Sequence, residues 1–113
     1  MHEVGLMTEA VRLAVASAQT AGAARVTVVR LRVGALSGAV PDALAFAWDV
    51  VRQGTRAAAA RLEIETIPAA CWCATCRREF ECADFFNECP HCHELSGELR
   101  CGRELEIASV ELH

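Results

Sequence analysis

Two pairs of cysteines, Cys73-Ala-Thr-Cys76 and Cys89-Pro-His-Cys92, separated by twelve residues, constrain this chain of 113 residues more than any other feature. Two residues between paired cysteines let both sulfurs turn toward one ion. Two such knuckles supply the four tetrahedral corners that zinc(II) prefers, with each sulfur about 2.3 Å from the metal. Iron accepts the same geometry, but a single four-cysteine site more often holds zinc. Four thiolates leave no position open for water or substrate, so the expected role of the metal is structural. Apparent binding free energies of roughly 10 to 16 kcal/mol in zinc-finger peptides suffice to fold a segment too small to hold itself together by apolar burial. The stretch from Ala70 to Gly102, dense in cysteine and poor in aliphatic residues, is such a segment.

Three cysteines remain. Cys71 forms a CxC with Cys73 and competes with it as a ligand, although the repeated C-x2-C spacing favours Cys73. Cys82 and Cys101 read as buried or partly buried thiols, and Phe80, Phe85 and Phe86 as the packing of a small module. Seven cysteines is an odd number, and they crowd into one part of the chain where a disulfide framework would spread them out. Clustering of this kind reads as metal ligation in a reducing compartment, and a cytoplasmic protein is expected.

The flanking sequence is periodic. From Glu3 to Ala21, Val4, Met7, Val11, Ala14 or Val15, and Ala18 recur at three- and four-residue steps. Leu6, Ala10 and Leu13 widen the stripe of a helix that ends at Gly22. Arg25 to Val33 changes to a two-residue period, with Thr27, Val29, Leu31 and Val33 on one side and Val26, Val28, Arg30 and Arg32 on the other. Pro41 and Asp42 suit the first turn of a second helix, in which Leu44, Ala47, Trp48 and Val51 form the buried stripe and after which Gly54 is the stop. Arg61 to Ile67 alternates again until Pro68, and Leu105 to Leu112 is apolar and β-branched with a change of phase near Ala108 and Ser109. The expected fold is α/β: a small three-stranded sheet with two helices, closed by the C-terminal strand, plus an inserted four-cysteine zinc-ribbon module. Residues 1–69 and 103–113 then form one domain and residues 70–102 the insert.

The formal net charge is −4, and the eleven basic residues, all arginine, are scattered among fifteen carboxylates. No basic run tracks a phosphate backbone, which argues against a nucleic-acid partner. No stretch reaches the roughly 18 apolar residues of a membrane span, so membrane insertion is not expected.

The opening Met1-His2-Glu3, the helix after it, and the late CWCATC and CPHC stretches together resemble the HypA/HybF family of nickel chaperones, which mature [NiFe]-hydrogenases. The resemblance extends through the segments Val29 to Gly38 and Ala45 to Thr55 to the final strand. It implies a protein that receives nickel(II) as transferable cargo and passes it to the hydrogenase large subunit. It also implies work with the GTPase of the same pathway and, in some organisms, service to urease. It implies structural zinc at Cys73, Cys76, Cys89 and Cys92, and nickel at the N-terminus with His2 as the essential ligand. Imidazole suits nickel(II), and a histidine at position two can close chelate rings through its own backbone nitrogen and that of Met1 or Glu3. Glu3 is the next candidate, through its backbone nitrogen or as a carboxylate that steadies His2. Asp42 is a weaker candidate that the start of the second helix explains equally well. His91 and His93 read as exposed knuckle residues, with nickel contact as the alternative, and His113 as a frayed end.

An enzyme is not expected, because a closed four-thiolate site lacks a position for water and the chain has neither a GxxxxGK[ST] loop nor an HExxH helix. The alternative class is a zinc-ribbon adaptor for protein–protein interaction, in which His2 is only part of a terminus. A monomer is the default expectation, with a homodimer as its alternative.

Overall fold

The computed structural model describes residues 3–82 and 87–113; Met1, His2, Phe85 and Phe86, singled out above, lie outside them. Helix α1 (Glu3–Ala21) ends where the spacing predicts. Gly22 takes φ of 70°, its amide donates to Gln19 O at 3.2 Å, and the Ala23 amide donates to Ala18 O at 2.8 Å, the paired bonds of a left-handed glycine cap. The buried stripe is Met7, Ala10, Val11, Ala14 and Ala18, narrower than the alternation implied. Val4 shares the azimuth of Val11 but stands exposed in the first turn, and Leu13 lies on the flank of the stripe.

Strand β1 (Val26–Gly34) is central in the first sheet, between β2 (Arg61–Ile67), parallel to it, and β6 (Leu105–Leu112), antiparallel. Helix α2 (Pro41–Val51), with Pro41 in its first turn, makes the crossover that a parallel β1–β2 pair requires. It stops at Val51, short of Gly54, which instead takes φ of 75° in the following turns. Both helices pack on one face of the sheet, burying Met7, Val11, Leu44 and Trp48 against Val26, Val29, Leu31 and Val33.

Thr27 departs from its expected place on that core face. The ladder shifts between Val26 and Val28, so Val26 and Val29 both reach the core, while the Thr27 hydroxyl donates to Glu111 O at 3.1 Å. A bulge changes the phase of a strand by one residue, which strict alternation cannot anticipate. A second shift skips Ala108, at the phase change seen in the sequence.

The cysteine-rich stretch builds a sheet of its own, β4 (Arg78–Glu81), β3 (Ala70–Cys73) and β5 (Leu99–Cys101), in that spatial order and all antiparallel. Its core is Ala69, Cys71, Cys73, Phe80, Cys82 and Cys89, so sulfur takes the place that branched aliphatics hold in the larger sheet. The two sheets meet where backbones touch. Gly34 and Leu36 amides donate to Glu104 O and Gly102 O, both at 2.7 Å, and the Ala35 amide donates to Ile67 O at 2.9 Å. Among the described residues, no helix is long and apolar enough to cross a membrane.

Candidate metal centre

The two knuckles share one backbone plan. The Arg77 amide donates to Cys73 O at 2.7 Å and the His93 amide donates to Cys89 O at 2.9 Å, so each C-x2-C forms a closed turn. The residue after each second cysteine, Arg77 at φ of 54° and His93 at φ of 63°, takes the left-handed conformation that turns the chain away. The Cys76 amide donates to Cys73 Sγ at 3.4 Å. A Thr75 hydroxyl bond to the Glu94 carboxylate at 2.6 Å ties one knuckle to the other.

This plan brings Cys73, Cys76, Cys89 and Cys92 together with all four sulfurs within 4.8 Å of one another, the one such group among the described residues. Cys73 and Cys89 are buried and Cys76 and Cys92 half-buried. Cys71 stands outside the group, and Cys73 within it. Burial pushes the Cys71 thiol up to about 11, in keeping with an un-ionised thiol in the module core.

The electrostatics of the four sulfurs fit a cation. Burial, with neighbouring thiols adding to it, pushes Cys76 up to about 12. The Cys92 amide, hydrogen-bonded to Cys89, outweighs burial there and holds Cys89 at about 6. Four thiolates this close cannot all ionise alone, whereas a soft or borderline dication removes the mutual repulsion. The donor set is therefore a closed sulfur cage capable of metal coordination.

On the helix-bearing domain, Glu3, the first described residue, lines a cavity of about 200 Å³ with Leu6, Ser37, Gly38, Ala39 and Leu105. Asp42 is exposed and is not part of that lining. His91 and His93 are exposed on the second knuckle, and His93 Nδ1 lies 4.0 Å from Glu88. The C-terminal backbone is held, contrary to the frayed end expected for His113: its amide donates to Arg25 O at 3.0 Å, and its carbonyl accepts from Ala24 and Arg25.

Sequence reasoning missed one pairing outside the cage. Cys71 Sγ and Cys82 Sγ lie 3.0 Å apart in the module core. The signal was the hairpin that joins β3 to β4, whose short strands alternate too briefly to be seen.

An α/β sheet carrying a second small sheet with a closed four-sulfur cage defines a metal-binding protein of zinc-ribbon-like architecture. A family model described as hydrogenase/urease nickel incorporation, metallochaperone, hypA, matches residues 1–112. A hydrogenase maturation factor HypA from a Picosynechococcus species is 46% identical, covering 99% of each chain. Another from a Roseiflexus species is 44% identical, over 98% of this chain and 91% of its own. The solution structure of the Ni metallochaperone HypA from Helicobacter pylori shares the fold at a TM-score of 0.68 and 21% identity, covering 99% of this chain and 97% of its own. A second solution structure of a HypA protein reaches a TM-score of 0.74 at 22% identity, covering 100% and 97%. The chain belongs to the HypA family of nickel-incorporation metallochaperones. Its members are metal carriers in hydrogenase maturation and not themselves enzymes.

Proposed function

We propose that this chain carries nickel(II) on residues at its N-terminus and delivers it to the large subunit of [NiFe]-hydrogenase, acting with the GTPase of that pathway. Residues 1–69 and 103–113 form the nickel-carrying part and residues 70–102 the zinc-binding part. Membership of the family over residues 1–112 is the observation that carries this reading.

Cys73, Cys76, Cys89 and Cys92 would hold zinc(II), which supplies positive charge and four cross-links to a module whose own core is five small or sulfur-bearing side chains and one ring. The cage is closed, so the cargo needs a separate and more exchangeable site. His2 provides the imidazole, and backbone nitrogens beside it complete the nitrogen-rich square that nickel(II) accepts. Glu3 assists through its backbone nitrogen or its carboxylate, at the edge of the cavity it lines with Ser37 and Gly38. The sequence has no phosphate loop of its own, which assigns GTP hydrolysis to the partner.

The test is a calorimetric nickel titration of zinc-loaded protein with its native N-terminus, beside His2→Ala. A near-stoichiometric nickel site that disappears in the variant while zinc stays bound is the expected result. Equal nickel binding in both proteins, or none in either, returns His2 to an ordinary terminus and favours the zinc-ribbon adaptor.

A further inference from the structure

Cys71 and Cys82 are free thiols, 0% and 5% exposed, with their sulfurs in contact at 3.0 Å. Neither belongs to the four-sulfur cage. Their proximity is set by the sheet and not by a metal. Cys71 sits on β3 opposite Phe80, and Cys82 follows β4, held by its amide donating to Ala69 O at 3.0 Å. The two side chains are thus diagonal neighbours on one face of a hairpin in fixed register. Cys101, on the opposite neighbour β5, is turned elsewhere, its thiol donating to Pro68 O at 3.4 Å.

We propose that Cys71 and Cys82 are a modification site that forms a reversible disulfide when the protein meets a peroxide. The sulfurs must approach by about 1 Å to reach a bond of about 2.05 Å, which takes side-chain rotation together with a small adjustment of the hairpin backbone. Cys82, the less deeply buried of the two, reacts first. Its sulfur takes one oxygen from hydrogen peroxide to become a sulfenic acid, and one water leaves. The Cys71 sulfur then attacks the sulfenic sulfur, the S–O bond breaks, and the hydroxyl departs as a second water with the Cys71 proton. The two thiols lose two electrons and the peroxide gains two. A dithiol reductant reverses the reaction by exchange.

The ring so closed contains Cys73, Cys76 and the turn between β3 and β4. Oxidation therefore cross-links the strands that carry the first knuckle while leaving its two ligands untouched. The cage thiols, once bound to a dication, are withdrawn from disulfide formation, and the uncoordinated pair is the one already held sulfur to sulfur. The proposal does not depend on nickel at His2.

The test treats full-length, zinc-loaded protein with hydrogen peroxide, blocks remaining thiols by alkylation, and cleaves with trypsin, which cuts at Arg77 and Arg78 between the two cysteines. Expected are an intact mass lower by two hydrogens, a Cys71–Cys82 link placed by tandem mass spectrometry, zinc still bound, and full reversal by dithiothreitol. Cys82→Ser should lose the link and Cys101→Ser keep it. Measurement on the wild-type chain stands even where a variant folds poorly. Zinc release with links among Cys73, Cys76, Cys89 and Cys92, no link under conditions that oxidise free cysteine, or loss of the link in Cys101→Ser would each overturn the proposal.

Discussion

At the residue scale, the cage draws on the two residues after the knuckles as well as on its four sulfurs. Arg77 and His93 occupy left-handed backbone, which costs an ordinary L-residue about 1–2 kcal/mol and a β-branched residue more. Their side chains are exposed, so substitution there tests the backbone alone. Arg77→Gly is expected to leave zinc affinity unchanged or raise it, because glycine adopts this conformation freely. Arg77→Val should weaken zinc binding roughly tenfold, the equivalent of about 1.4 kcal/mol, since metal binding and module folding are one equilibrium. Competition of zinc-loaded protein against a chromogenic chelator measures both. Equal affinities for the two variants would show that the turn tolerates a β-branched residue and does not constrain the cage.

At the element scale, the face of the larger sheet away from the helices is a ladder of charge. Arg30 on β1 reaches Glu63 on β2 at 2.9 Å and Glu111 on β6 at 2.5 Å, and Arg32 reaches Glu106 at 3.1 Å. The guanidinium of Arg61, then that of Arg30, hold the Glu63 carboxyl below its ordinary 4.5. A carboxyl depressed by folding contributes its stability in full above the ordinary value and loses it as pH falls toward the folded one. Because these side chains are more than a third exposed, the contribution is small and screened by salt. Glu63→Gln should therefore lower the urea midpoint slightly at neutral pH, and the difference should shrink as pH falls below the ordinary carboxyl value toward the depressed folded one. A variant whose destabilisation does not change with pH would locate the effect in packing instead. The alternation of β1 and β2 was legible in the sequence, as were both helices and the phase change at Ala108, but not the cross-strand pairing of the charges. The displacement of Thr27 was not, because a bulge leaves composition unchanged, and neither were β3, β4 and β5, whose three or four residues carry too few alternations to register.

At the scale of the whole molecule, the radius of gyration is 17.5 Å, against about 13 Å for a compact chain of this length, and the extents are 54 × 25 × 17 Å. Two cores, one aliphatic and one built largely of cysteine, stand apart and communicate through a narrow joint. The cysteine spacing disclosed the cage, but a joint made of backbone against backbone leaves no periodic trace in a sequence. It rests on two glycines. A Cβ on Gly34 would sit 2.1 Å from Gly102 O, and one on Gly102, at φ of 121°, would sit 2.7 Å from Ala69 Cα. Backbone cannot swing aside as a side chain can, so either alanine must part the two sheets or distort the ends of β1 and β5. Gly34→Ala is expected to cost about 2–4 kcal/mol in urea unfolding followed by fluorescence of Trp48, which lies in the aliphatic core. Zinc stoichiometry should stay the same, because all four sulfurs lie on the far side of the joint. Small-angle scattering should report a larger radius of gyration than the native protein, as the Leu36 to Gly102 bond is lost. An unchanged midpoint and radius would mean that the joint yields without strain, and that the module's direction relative to the larger sheet is set by the two connecting segments alone.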